Sequence, residues 1–131
     1  MAPPDTIVQL TATTHFPIKL TPTNFPVWRK QVQLTLIGLD LNDFINGLSK
    51  PPPQTLTDKD TTKSNPAYTI WYRQDQIIYS AILGSCSEAI QPIITSASTA
   101  KESWDRLNTS YASQSRSRII SLKSKLAKNP K

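Results

Sequence analysis

Apolar positions recur at intervals of three and four along most of this chain, and no segment alternates apolar and polar residues convincingly. The first such run is "TNFPVWRKQVQLTLIGLD". Asn24 suits the N-cap, Pro26 the first turn and Gly38 the stop. Trp28, Val32, Thr35/Leu36 and Leu39 then share one helix face. "DLNDFINGL" predicts a short second helix ended by Gly47. Residues 50–65, "KPPPQTLTDKDTTKSN", predict an exposed Pro-rich loop, because consecutive prolines cannot continue a helix. The strongest helix signal follows, from Pro66 to about Leu83. Asn65 caps it, and Ala67, Ile70, Trp71, Ile77, Ile78, Ala81 and Ile82 form its apolar stripe. "SCSE" at Ser85–Glu88 looks like a capping box for a short helix ending near Pro92. "TAKE" at Thr99–Glu102 looks like another, opening a helix with Trp104, Leu107 and Tyr111 on one face. A last helix from about Ser115 to Lys128 has a narrow stripe of Ile119, Leu122 and Leu126.

The expected fold is all-α, with five or six short helices in a compact bundle behind an extended leader. The expected division is a polar, disordered leader over residues 1–14, a helical domain over 15–113, and a basic amphipathic helix over 114–131. The chain stops soon after that helix, whose stripe needs a partner surface, so a truncated second part is expected there.

Composition narrows the function classes. Three Gly against eleven Pro argue against turn-dense all-β folds and phosphate-cradling glycine loops. A single cysteine, Cys86, excludes an internal disulfide and a Cys-rich zinc site. The N-terminus lacks the basic-then-apolar pattern of a signal peptide. Gln76–Ala100 holds one charge, Glu88, yet its Ser, Thr, Gln and Pro content disfavours a membrane span. A soluble protein of the cytoplasm, or of the nucleus, is expected.

The net charge of +6 is uneven. Residues 1–60 carry five basic and five acidic side chains, and residues 61–100 two of each. Residues 101–131 carry eight basic and two acidic ones. On the last helix, Arg116 and Lys123 flank one side of the stripe, Arg118 and Lys125 the other, and Lys128 points away. Two readings stand. Long basic stems can cover apolar surface while their heads stay in water. Alternatively, Arg116, Arg118, Lys123, Lys125 and Lys128 contact nucleic-acid phosphates, without reading sequence. Phosphorylation of the neighbouring serines would weaken such binding.

Catalytic signatures are missing. His15 is the only histidine and has no Cys, His or carboxylate cluster beside it. Cys86 sits at a helix start, where a lowered thiol pKa is conceivable, but a buried structural thiol is the better reading. Asp40 and Asp43 resemble a carboxylate pair, though acids before a short helix are better explained by its dipole. Trp28, Trp71 and Trp104 lie on three separate helices, where core positions outweigh a peptide groove or base-stacking platforms. Tyr68, Tyr72 and Tyr79 follow a neighbouring edge and suit a core rim or a self-association surface. The expectation is a non-enzymatic protein with no cofactor, metal or small-molecule substrate.

An ordered series of motifs resembles the N-terminal region of the Gag polyprotein of plant copia-type LTR retrotransposons. "FPIKLTPTNFPVWRKQVQLTLIGLDLNDFINGLSKPP" carries Lys19, Leu20, Asn24, Phe25, Trp28, Leu41, Phe44 and Gly47 at the family's spacing. The later segment adds Asn65-Pro66, Trp71, Asp75, then Thr99-Ala100, Trp104, Leu107 and Tyr111, then Ser117, Arg118, Leu122 and Leu126. The resemblance runs over about residues 15–128. It implies a helical capsid-type domain without a catalytic site, which assembles with itself or with full-length Gag into a particle around element RNA. Relatives continue with more helices and a Cys/His zinc knuckle, which this sequence lacks. Two alternatives remain: a sequence-blind RNA- or DNA-binding module that uses the basic helix, or a truncated or domesticated Gag fragment that perturbs full-length Gag.

Overall fold

The computed structural model describes residues 6–113. Within them the chain runs α1 (Ala12–His15), α2 (Phe25–Gly38), α3 (Asp43–Asn46), β1 (Thr55–Asp58), β2 (Thr61–Ser64), α4 (Pro66–Gly84), α5 (Gln91–Ile94) and α6 (residues 100–113). Six helices account for 55% of the described residues. The basic segment 114–131 lies outside them.

Most of the helix boundaries obey local chemistry. α2 keeps Pro26 in its first turn and buries Trp28, Val32 and Leu36 at steps of four. Its caps differ from expectation. The Asn24 carboxamide does not cap the helix; its Oδ1 accepts from the Thr21 N–H at 2.8 Å and its Nδ2 donates to the Lys19 carbonyl at 2.7 Å. Gly38 remains helical, and the left-handed residue that turns the chain is Asp40, with φ of 60°. Asp tolerates this region better than most residues. Gly47 does end α3, with φ of 86°. A Cβ there would also come within 2.7 Å of Lys101 Cε, a contact the flexible lysine can relieve, so the positive φ is what calls for glycine.

α4 is capped as expected: Asn65 Oδ1 accepts from the Ala67 N–H, and Pro66 takes the first position. The expected stripe is buried in its C-terminal half, at Ile78, Ala81 and Ile82, and runs on through two polar residues. Ala67 is exposed and Trp71 half-buried, whereas Gln74 and Asp75 are buried beside Ile78, Ala81 and Ile82. α6 opens on Thr99, whose Oγ1 accepts from the Glu102 N–H at 3.1 Å. Glu102 reaches back to the Ser98 N–H at 2.9 Å.

Three expectations are corrected. The fold is mostly helical but not purely all-α, because residues 50–65 contain an antiparallel hairpin. Thr55 pairs with Ser64 and Asp58 with Thr61. Every strand residue is exposed, so no alternating pattern marks the strands. The two-residue loop puts Lys59 at φ of 56°, where Gly is the usual signal.

The leader is also not loose over residues 6–14. Gln74 clasps the Val8 peptide, accepting from its N–H at 2.7 Å and donating to its carbonyl at 3.0 Å. Leu10 and Phe16 enter the core.

"SCSE" opens no helix. Leu20 and Cys86 form a parallel bridge: the Leu20 N–H donates to the Ser85 carbonyl at 2.7 Å, and the Ser87 N–H to the Leu20 carbonyl at 2.9 Å. The next helix, α5, begins only at Gln91, with Pro92 inside its first turn. A chain that must pair with a distant strand-like residue cannot start a helix there.

Candidate functional site

The residues expected to matter fall into two aromatic groups. The first joins α2 to α6. Phe25 stacks on Tyr111 with ring centres 4.2 Å apart and on Trp28 at 6.1 Å, and Trp28 meets Trp104 at 5.9 Å. Arg29 lies 5.6 Å from the Trp104 ring centre and donates to Asn108 Oδ1 at 2.8 Å. The Trp28 indole N–H donates to Ser85 Oγ at 3.0 Å, and the Tyr111 hydroxyl to the Thr21 carbonyl at 2.8 Å. Burial pushes the Tyr111 phenol above its ordinary pKa. Leu20, Trp28 and Leu107 are fully buried, so this group is interior packing and offers no base-stacking face. Leu122 and Leu126, and the basic positions Arg116, Arg118, Lys123, Lys125 and Lys128, lie outside the described residues.

The second group is a ledge at the start of α4. Phe44 stacks on Trp71 at 5.6 Å, Trp71 on Tyr68 at 6.5 Å, and Tyr68 on Tyr72 at 6.0 Å. The Trp71 indole donates to Ser49 Oγ at 2.9 Å. A cleft of about 150 Å³ runs behind the ledge, between Phe44, Ser49, Pro51, Trp71 and Lys101. Tyr72 is 44% exposed and Leu48 73%. The expected tyrosine edge is therefore split. Tyr68 and Tyr72 share the ledge, but the Tyr79 hydroxyl is tied internally to the Ile94 carbonyl.

The candidate chemical groups are held apart. His15 Nδ1 sits against the Thr11 backbone. Asp43 stands in the first turn of α3, where the dipole favours an acid, and its carboxylate accepts from Asn46 Nδ2 at 3.1 Å without capping the backbone. Among the described residues no group of three or more His, Cys, Asp or Glu could hold a metal ion. Among them, too, no helix is long and apolar enough to cross a membrane.

Cys86 is fully buried, and that burial pushes its thiol up to about 12. At mildly alkaline pH its thiolate fraction is then about a thousandfold below that of a free cysteine. Native protein is expected to resist a thiol reagent, and chemically unfolded protein to react at once. Rapid labelling of the native state would contradict this burial.

Two features escaped the sequence reading. One is the burial of Gln74 and Asp75, of which the sequence singles out only Asp75, as a position of the family series. Asp75 is 1% exposed and accepts from the Ala100 N–H at 3.2 and 3.3 Å and from Gln76 Nε2 at 3.0 Å. Burial raises its pKa from the ordinary 3.8, partly offset by those two hydrogen bonds. Its carboxylate caps α6 from another helix, which no local spacing announces. The other is the outer face of α2. Val27, Leu34 and Ile37 are 51%, 60% and 58% exposed. These positions are apolar in the sequence, but periodicity alone does not say that they stay uncovered.

These residues define a helical packing domain, with two apolar surfaces left open to water. The profile of the gag-polypeptide of LTR copia-type elements matches residues 32–129. The chain belongs to this family, which is structural rather than catalytic. It is similar to the retrovirus-related Pol polyproteins from transposons RE1 and RE2 of Arabidopsis thaliana. The first is 39% identical over 108 residues, 82% of this chain. The second is 40% identical over 105 residues, 80% of this chain. The chain spans 7% of the length of each. No solved structure matches. The plant copia-type resemblance seen in the motifs is thus confirmed at the level of family.

Proposed function

We propose that this chain is a non-enzymatic building block that associates with copies of itself, or with longer Gag chains, around element RNA in the cytoplasm. Membership of the copia-type gag family carries the reading. Support comes from apolar side chains held at the surface, at Tyr72 and Leu48 and along α2, which a lone soluble monomer leaves in water at a cost. RNA enters as a second role. The excess positive charge of the molecule lies in residues 101–131, and such charge binds phosphates without regard to sequence.

Light scattering of the full chain against concentration, at low and physiological salt, with and without RNA, tests both parts. Mass growth without RNA is expected, and RNA should increase it most at low salt. A monomer at every concentration in both salts would reject association through this chain. A mass unaffected by RNA at low salt would reject the second role.

A further inference from the structure

On the self-association reading above, we infer that the β1–β2 hairpin is a two-fold contact between two copies of this chain, whose β1 strands pair antiparallel across Leu56. A two-stranded hairpin is marginal in water unless a third element packs on it. This one buries no strand side chain. Its anchor is Asn65, whose N–H donates to the Gln54 carbonyl at 3.0 Å and whose Nδ2 donates to the Pro53 carbonyl at 2.7 Å. Leu56, 51% exposed, stands within β1.

The hairpin register fixes which backbone groups face outward. Asp58 and Thr61 close the two-residue loop, so they exchange both backbone hydrogen bonds, and Leu56 and Lys63 do the same two positions on. The bond from Asn65 to Gln54 continues the alternation. Thr55 and Thr57 therefore turn their N–H and C=O groups away from β2. Among the described residues these groups have no hydrogen-bond partner. Thr62 and Ser64 face outward in the same way on the far edge of β2.

A second β1 strand matches this edge. Thr55-Leu56-Thr57 reads the same in both directions. One antiparallel register sets Thr55 against Thr57 of the second copy, and Thr57 against its Thr55. Each pair exchanges both backbone hydrogen bonds, and Thr opposite Thr is a favourable cross-strand pair. Leu56 then meets Leu56 of the second copy on the two-fold axis, at the close spacing of a pair without hydrogen bonds. Lys63, the cross-strand neighbour of Leu56, shares its face and lays its stem beside the leucine pair with the ammonium in water. Asp58 falls opposite Gln54 of the second copy, and Lys59 and Asp60 sit in the loops at the two ends, so no like charges meet. The outer edge of β2 has no such match. Its equivalent register, Thr62 on Ser64, sets Lys63 directly against Lys63. Pro53 has no N–H to lengthen the β1 ladder, so the contact is short. It falls below the roughly 800 Å² per partner of a stable dimer and gains strength when repeated through a particle.

Sedimentation of the full chain over a wide concentration range tests the inference, with folding of every variant checked by circular dichroism. Leu56 is exposed, so Leu56→Lys should leave the fold intact. It should weaken association at least about tenfold, because like charges then meet on the axis. Thr57→Pro removes an outward N–H from β1 and should weaken association, whereas Thr62→Pro, the same change on β2, should not. Cross-linking reads the register directly. The two Cα atoms at position 56 should lie about 4.5 Å apart, within disulfide reach, and those at position 63 roughly 14 Å apart. With an added thiol oxidant, Leu56→Cys should therefore form a covalent dimer at least about tenfold faster than Lys63→Cys. Cys86 is fully buried and does not compete. Wild-type association that Leu56→Lys leaves unchanged overturns the assignment of this edge while self-association stands. Equal cross-linking at the two positions, or equal effects of the two prolines, overturns the β1 register. A wild-type monomer throughout rejects the self-association reading itself, and the inference with it.

Discussion

Trp28→Ala is expected to leave most of this domain unfolded at physiological temperature. Trp28 is fully exposed to no solvent and touches both halves of the core: Phe25 and Trp104 by ring contact, and Ser85 by its indole N–H. Truncating a buried Trp to Ala costs about 3–5 kcal/mol in lost transfer energy and cavity. Domains of this size have only ~5–15 kcal/mol in total. The site cannot collapse easily, because α2, α6 and the Leu20–Cys86 bridge wall it on three sides. Trp28→Phe separates packing from hydrogen bonding. It keeps most of the ring volume but removes the donor to Ser85 Oγ, which still donates to the Ile82 carbonyl at 2.8 Å. A loss of about 1–3 kcal/mol is expected for the smaller change. Urea unfolding followed by circular dichroism measures both. An alanine variant within ~1 kcal/mol of the parent would refute the role given to this residue.

Asp75→Ala is expected to detach the start of α6. The Ala100 N–H is one of the unpaired donors of a helix N-terminus, and Asp75 is the buried acceptor that takes it up. Leaving that donor buried and unpaired costs about 1–3 kcal/mol, before counting the cavity. Asp75→Asn keeps one oxygen for Ala100 and should cost less.

The pH dependence carries a definite sign. Burial raises the folded-state pKa of Asp75 above 3.8, so the folded chain binds this proton more tightly than the unfolded chain. The stabilisation linked to that proton is fully present below 3.8 and is lost as pH rises through the higher folded value. The parent should therefore gain on Asp75→Asn as pH falls from neutral towards 3.8. Paired urea midpoints across that range test it. A gap that narrows on acidification would show that the hydrogen bonds from Ala100 and Gln76 outweigh burial.

Family membership was legible because it rests on an ordered series of residues, and most of those residues prove to be packing positions. Leu20, Trp28, Leu107 and Tyr111 lie in the core, and Phe25 stacks across to Tyr111. Such residues keep their spacing because helix geometry and close packing demand it. The open surfaces were harder to read. Tyr68, Tyr72 and Tyr79 look equivalent on a wheel, yet only α5 decides that Tyr79 is tied inside.

By itself the sequence determined what short-range chemistry controls. Asn65-Pro66 starts α4, Gly47 ends α3, Thr99 with Glu102 opens α6, and steps of four put Trp28, Val32 and Leu36 on one face. Each depends on neighbours a turn away. Only the tertiary structure decided where a residue meets a partner far along the chain. Val8 is clasped by Gln74, 66 positions on, and Leu20 pairs with Cys86. Asp75 finds Ala100 across 25 positions, and Trp28 finds Ser85 across 57. A polar residue gives no local sign that it is buried, because the partner that satisfies it is brought in by the fold.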